Sequence, residues 1–474
     1  MAGREIHVDV AIIGAGTAGL NAMREVRKAG KSFLLIDHGP LGTTCARVGC
    51  MPSKAVLHAG SVWQARFDPA GAGGQDRVSA TEAGALWNAA RRTRDMLAAG
   101  AAKRTVAAAG EHLLMGQAQF VAPSMLDVDG TRVTASAFVI ATGSQPVLPG
   151  FLAQVQDRVL TTDTLFEREA LPRSLGILGL GAIGLEIGLA LSRLGVRVVA
   201  GDIKSVPAGI ADPEIALRAT QHFSAGSNLT MWLGRKIDVE RAGEGLFISN
   251  GHESRQVDCL LAALGRRPAV KTLRLDNAGI ALDDDGQPSI DRHTMRAGAS
   301  SIYFAGDVDP DRPLMHEAAD EGAIAGFNAA HHGAPQRFRR RVAMSIVFSE
   351  PDIAAVGMPF DRIDLETAIV GSASGDANGR SRILGAEHGM VRIYAERSSG
   401  KLLGASLFAT RGEHLAHLLA CAIQSGMTAE QMLELPFYHP TIEEMVQSAL
   451  HEILKQQGGS KACLVGLPLL DSAR

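Results

Sequence analysis

Cys45 and Cys50 are separated by four residues in Gly42-Thr43-Thr44-Cys45-Ala46-Arg47-Val48-Gly49-Cys50-Met51-Pro52-Ser53-Lys54, about thirty residues after a glycine-rich loop. Four intervening residues can form a turn that brings two sulfurs within bonding distance. A thiol near the start of a helix also has its thiolate favoured by the N-terminal dipole. Five cysteines in 474 residues do not make a disulfide framework, and no secretory signal precedes them. No second Cys or His pair follows at zinc-finger spacing. The pair reads first as a redox disulfide, then as ordinary buried thiols, and last as a metal site.

Two units able to hold a dinucleotide surround these thiols. In the first, the apolar run Val8 to Ile13 turns at Gly14-Ala15-Gly16-Thr17-Ala18-Gly19 into a helical pattern ending near Gly30. A second strand, Ser32 to Ile36, is closed by Asp37. Gly14 would make the tight turn, Gly16 would let the backbone approach a pyrophosphate, and Gly19 would allow close helix packing. Asp37 falls near the distance expected of an acceptor for a ribose diol. The second unit repeats the pattern from Ser174 to Asp202, with Gly179-Leu180-Gly181-Ala182-Ile183-Gly184 as its loop. Asp202 would accept a hydrogen bond from a free ribose 2′-hydroxyl and repel a 2′-phosphate, and Ile203 rather than Arg follows it. NAD is therefore favoured over NADP.

Length and charge frame these motifs. At roughly 150 residues per domain, the chain suggests about three domains. A net charge of −3 spread along the chain leaves no electrostatic footprint for nucleic acid. The short basic run Arg337, Arg339, Arg340 and Arg341 reads as a solvated domain junction. No apolar stretch of about 18 residues exists, so no membrane span is expected. Met1 to His7 is too short and polar for a targeting peptide. A cytoplasmic location follows, where a cysteine pair would cycle. The Ala-rich stretch from Thr81 to Ala109 reads as a long helix, and Ala70-Gly71-Ala72-Gly73-Gly74 as a surface loop.

Two nucleotide units and a cysteine pair describe an electron relay, with a flavin as the natural intermediary between thiols and nicotinamide. Over nearly its whole length the chain resembles the class I flavoprotein pyridine nucleotide-disulfide oxidoreductases, and most of all the dihydrolipoamide dehydrogenases among them. The likeness rests on Gly42 to Lys54, on Ala141-Thr142-Gly143-Ser144-Gln145-Pro146 and on Gly265-Arg266-Arg267-Pro268. It continues in Ala305-Gly306-Asp307, Leu314-Met315-His316-Glu317-Ala318-Ala319-Asp320-Glu321-Gly322 and His439-Pro440-Thr441-Ile442-Glu443-Glu444.

The resemblance implies an α/β fold: two Rossmann-like domains for FAD and NAD and a C-terminal α+β dimerisation domain. The FAD-binding domain would take residues 1–149 and 273–336, the NAD-binding domain 150–272, and the interface domain 337–474. It implies FAD at Gly14, Gly16, Gly19, Asp37, Lys54, Ala118, Thr142, Gly143, Ser144, Asp307, Met315 and His316. NAD would lie at Gly179, Gly181, Gly184, Glu186, Asp202 and Gly265, with Glu186 also matching the glutamate that pairs with Lys54. Cys50 resembles the thiol beside the flavin, and Cys45 the thiol that exchanges with substrate. His439 resembles the proton carrier and Glu444 its orienting carboxylate, which fits the logic of a histidine held in one tautomer. In the family this histidine reaches the other subunit's cysteines, implying a homodimer with shared sites.

The implied reaction is the oxidation of a dihydrolipoyl group by NAD. The lipoyl group would be borne by a protein of a 2-oxoacid dehydrogenase or glycine cleavage complex. NAD(P)H-dependent reduction of another disulfide, such as glutathione or mycothiol, is the alternative; a non-catalytic flavoprotein is a third class that the intact residue set opposes. Arg47 stands where the subgroup usually carries Asn, and would either favour a Cys45 thiolate or be a solvated side chain. Tyr438 replaces a small residue before His439. The tail from Gly458 to Arg474, including Cys463, carries no chemical cue.

Overall fold

Val10, Ala11, Ile12 and Ile13 are each at most 4 % exposed, as a strand with apolar residues on both faces requires. The computed structural model describes residues 4–67, 80–226, 228–284, 286–458 and 467. It places the strand Glu5–Ile13 in a nine-stranded sheet between Thr131–Ile140 and Phe33–Asp37, both parallel to it. The strand Ile302–Phe304 joins Thr131–Ile140, so chain from beyond the second unit returns to the first sheet. Val10 and Ile12 pack toward Ala18 and Ala22 of the following helix. Ala11 and Ile13 pack toward Phe120 and Phe138 on the other face.

The helix Thr17–Lys28 buries Ala18, Gly19, Ala22, Met23 and Val26, one face at the helical period. Across it lies the helix Met315–Ala330. The crossing is so close that a Cβ on Gly322 would stand 2.2 Å from the Ala18 carbonyl oxygen, and one on Gly326 2.4 Å from that of Ala22.

The second unit is a sheet of five parallel strands, in the order Leu229–Leu233, Arg197–Asp202, Ser174–Leu178, Cys259–Ala262 and Val159–Leu160. A two-stranded ribbon, Ser144–Pro146 with Arg266–Pro268, runs between the units. Arg266 ties it together, donating to the Ser144 hydroxyl at 2.8 Å, the Ser144 carbonyl at 2.7 Å and Thr162 Oγ1 at 3.1 Å.

The third unit is an antiparallel sheet of five strands, in the order Met344–Val347, Asp352–Gly357, Leu402–Ala409, Met390–Glu396 and Ala368–Ser374. Helices Gly412–Gln424 and Glu444–Gln456 share its core. Asp212 locks it to the second unit. Its wholly buried carboxylate caps the helix Pro213–Ser224 and accepts from Arg392 Nε at 2.8 Å and the Tyr394 hydroxyl at 2.6 Å. Burial and that carboxylate push the Tyr394 phenol well above its ordinary range.

The chain between the first and third units corrects the reading of its basic run. Arg337 and Arg341 do pair at the surface, with Asp291 and Asp320. Arg340, by contrast, is largely buried, donating to Glu317 at 2.6 Å and Glu321 at 2.7 Å. Glu317 and Glu321 lie one turn apart on the same helix, and two buried carboxylates need a cation. The long helix spans Ala80–Ala109. The Ala70–Gly74 loop, and the tail beyond Gly458 apart from Leu467, fall outside the described residues.

The helix crossing makes a clean test of packing. Gly326→Ala should destabilise by about 1–3 kcal/mol, because backbone blocks the new methyl group. Gly84→Ala, in the helix Ala80–Ala109 with no atom within 4 Å of an added Cβ, should stabilise by up to about 1 kcal/mol. Thermal melting of both variants should move in opposite directions. Equal shifts would contradict the close crossing.

Candidate active site

Cys45 lies in the short helix Thr44–Arg47, and Cys50 opens the helix Cys50–Phe67. Gly49 allows the tight return between them: a Cβ there would stand 3.2 Å from the Thr44 carbonyl oxygen and 3.3 Å from Cys45 Cα. Both cysteines are free thiols, hydrogen-bonded to each other. The bond from Cys45 draws the Cys50 thiol down to about 7, with the Lys54 ammonium adding to the effect and burial opposing it. Cys45 moves the other way, well above its ordinary range, because its proton is held by Cys50 and burial disfavours a second charge. The contact thus favours the thiolate on Cys50 and disfavours it on Cys45.

Lys54 lies one turn beyond Cys50. Its Nζ donates to both oxygens of Glu186, at 2.9 and 2.7 Å. Glu186 is buried on the helix Ala182–Arg193, and it also accepts from the Ser53 hydroxyl at 3.3 Å. Of the two readings of Arg47, a cation at Cys45 or a side chain turned elsewhere, the second holds. Its guanidinium turns back toward the Pro40 carbonyl at 3.5 Å, over Gly42, and Lys54 is the cation that bears on the pair.

The glycine loops divide their work by position. A Cβ on Gly14 would lie 2.2 Å from the Ala141 carbonyl oxygen, and one on Gly19 1.8 Å from that of Gly14. Gly179 and Gly184 repeat this, at 2.4 Å from Ala263 and 1.9 Å from Gly179. Gly16 and Gly181 have nothing within 4 Å of an added Cβ. They leave bare backbone at a helix N-terminus, where a pyrophosphate could approach. Asp37 and Asp202 have a role their sequence positions did not reveal. Each carboxylate pins the middle of its own loop, accepting from Ala15 N or Leu180 N at 2.7 Å, and a second N–H from Gly39 at 2.6 Å or Lys204 at 2.9 Å. Each oxygen keeps a lone pair for a ribose hydroxyl.

Further along the first sheet, Ser144 Oγ donates to Asp307 Oδ2 at 3.0 Å, and Gly143 and Gly306 turn there with φ of +68° and +79°. Thr142 Oγ1 is buried with no hydrogen-bond partner among the described residues. An orphaned hydroxyl beside an open glycine cradle fits a bound dinucleotide such as FAD. Met315 and His316 begin their helix with exposed side chains, and Gly265 begins the second half of the ribbon with φ of +95°. Ala118 is 2 % exposed, its methyl group in the core. Only its backbone could serve a ligand. No group of His, Cys, Asp and Glu among the described residues could hold a metal ion.

His439 and Glu444 sit apart, on the third unit. Glu444 Oε1 accepts from His439 Nδ1 at 2.9 Å and Oε2 accepts from Thr441 N at 2.9 Å. These two donors hold the Glu444 carboxyl below its ordinary range, the backbone N–H first. A carboxylate can only accept, so Nδ1 carries the hydrogen and Nε2 offers its lone pair outward. Gly371 lets the Glu444 helix approach the sheet, since a Cβ there would stand 2.1 Å from the Ala449 carbonyl oxygen. The pair opens on a cavity of about 350 Å³ walled by Ser372, Ser374, Asn378 and Ser448. All of these belong to the third unit, and neither cysteine lines this cavity. Tyr438 is 81 % exposed beside it.

Comparison with known proteins agrees with this geometry. A model of the pyridine nucleotide-disulphide oxidoreductases matches residues 8–322, and that of the family's dimerisation domain matches 343–450, which supports a homodimer. The dihydrolipoyl dehydrogenase of Halobacterium salinarum is 30% identical over 469 residues, covering 94% of this chain and 96% of that protein. A mercuric reductase of Streptomyces lividans is 31% identical over 448 residues, covering 91% and 93%. The HOCl-induced flavoprotein disulfide reductase RclA of Escherichia coli shares the fold, with a TM-score of 0.81 at 23% identity over 94% of this chain and 99% of that one. Among the described residues no helix is long and apolar enough to cross a membrane. With the family models spanning most of its length around a polarised cysteine pair, the chain belongs to the class I pyridine nucleotide-disulphide oxidoreductases, FAD-dependent flavoenzymes.

Proposed function

We propose that this enzyme oxidises a dihydrolipoyl group with NAD, through Cys45 and Cys50 and with FAD as the carrier between thiols and nicotinamide. The observation that carries the reading is the centre's geometry: Cys45 and Cys50 in contact, with Lys54, held by Glu186, one helical turn from Cys50. One substrate sulfur, as thiolate, attacks Cys45 Sγ; the Cys45–Cys50 bond breaks and Cys50 leaves as the thiolate its surroundings favour. The second substrate sulfur then displaces Cys45, closing the lipoyl disulfide and leaving a dithiol with the two electrons. FAD, when bound, supplies the passage of that electron pair as a hydride to NAD. Lys54, held by Glu186, keeps a positive charge beside the thiolate. His439 of the other subunit takes the substrate's thiol proton at Nε2, with Glu444 holding the ring. The lipoyl substrate is supported by the dihydrolipoyl dehydrogenases among the relatives, and NAD by the carboxylate of Asp202. The lipoyl group would come on a protein of a 2-oxoacid dehydrogenase or glycine cleavage complex, and the enzyme would work in the cytoplasm.

Steady-state assays with dihydrolipoamide and NAD should show turnover. Failure there, with turnover of another disulfide and NADPH, would replace the substrate. Asp202→Ala should weaken NAD about 5- to 150-fold, the worth of lost ribose hydrogen bonds. His439→Gln should lower lipoamide turnover by about 10²–10⁴-fold while flavin reduction by NADH persists. Equal loss of both steps would take His439 out of thiol exchange. The thiols themselves give a pH test. Cys50 is depressed from 9.0 to about 7, so its thiolate is present above that pH and lost below it. Iodoacetamide labelling of the reduced enzyme should therefore rise through about pH 7 at Cys50 and come much later at Cys45. A labelling midpoint at Cys50 no lower than that of an ordinary thiol would contradict the polarised pair.

A further inference from the structure

Phe348 follows the strand Met344–Val347 of the third unit, yet it closes over charged groups of the first two. Its backbone N–H donates to Glu186 Oε1 at 3.1 Å, and Lys54 Nζ lies 4.6 Å from the centre of its ring. The segment is fastened on both sides. Arg193, the last residue of the helix bearing Glu186, donates to the Ser349 carbonyl at 2.7 Å and to the Glu350 carboxylate at 3.2 Å. Ser61, on the helix that bears Cys50 and Lys54, donates to that same carboxylate.

A lysine has a flexible four-carbon stem, and a single carboxylate limits how far its ammonium can move more than the direction it takes. An aromatic face within about 6 Å of the ammonium adds a second constraint. The Phe348 N–H meanwhile helps fix the carboxylate that receives Lys54. We propose that Phe348 is a positioning residue of the redox centre, its ring and N–H holding the Lys54–Glu186 pair in place beside the cysteines. The C-terminal unit of the chain thereby helps set the thiol chemistry of its N-terminal unit. This rests on the reading of Cys45 and Cys50 as the redox pair.

The test is the pH dependence of iodoacetamide labelling at Cys50 in the reduced, FAD-loaded enzyme, followed by peptide mass spectrometry. Phe348→Leu keeps the backbone N–H and removes the ring. Its midpoint should rise by about half a pH unit, a fraction of a modest cation–π interaction, and Phe348→Tyr should restore the wild-type value. Lys54→Met alone should raise the midpoint further, and Phe348→Leu should add nothing in that background, as expected if the ring acts through the ammonium. Should the leucine variant not fold, Phe348→Met removes the ring at more nearly conserved volume and carries the same comparison. A Phe348→Leu or Phe348→Met variant with the wild-type midpoint, or an undiminished shift on top of Lys54→Met, overturns the inference while leaving the redox pair intact. A wild-type midpoint at the ordinary thiol value, about 8.5, overturns the redox reading itself and this inference with it.

Discussion

The ion pair of Lys54 with Glu186 is the contact on which the arrangement of this molecule turns. The lysine stands one helical turn from Cys50, and the glutamate lies on the helix after the second glycine loop. Phe348, from the third unit, donates to that carboxylate at 3.1 Å. Glu186 is 5 % exposed, and a buried carboxylate without its cation would carry an uncompensated charge. The pair therefore constrains how the three units sit together, and it places a positive charge where the cysteines are. Electrostatics at the thiols and docking of the units are one problem here, with one solution.

The nucleotide loops show the same economy. Asp37 and Asp202 each stand at the end of a parallel strand, and each accepts one backbone N–H from the glycine loop of its own unit and one from the turn after its own strand. The loop that would meet the phosphates and the acid that would meet the ribose are thus one hydrogen-bonded body. Burial and close packing supply the rest. The helix Met315–Ala330 crosses Thr17–Lys28 through Gly322 and Gly326, and Glu321 on that helix accepts from the Gly306 N–H at 2.8 Å, beside Asp307. Arg340 neutralises Glu321 from the chain leading into the third unit, so the turn beside Asp307 is supported from beyond its own sheet.

Much of this was legible in the sequence because it is local. The glycine spacings, the strand-ending acids, the long Ala-rich helix and the histidine with a carboxylate five residues on are all patterns within one short segment. The partners that lie far apart were not. Phe348 is separated from Glu186 by 162 residues and Arg392 from Asp212 by 180, and nothing in their immediate neighbours marks them. Arg340 looked solvated because a basic run usually is, and only the fold supplies the two carboxylates that bury it. Arg47 carried two readings, and nearness in sequence to Cys45 could not decide between them. The double role of Asp37 and Asp202 was hidden because a motif names a residue and says little of which lone pair it uses.

In the mechanism proposed above a working site needs two chains, His439 and Glu444 of one serving Cys45 and Cys50 of the other. Mixing inactive Cys45→Ser and His439→Gln chains tests this directly. If the site is shared, a mixed dimer has one site with both defects and one with neither. Verified heterodimers should then regain about half of the wild-type turnover per dimer, given independent sites. Heterodimers that stay as inactive as their parents would contradict the shared site.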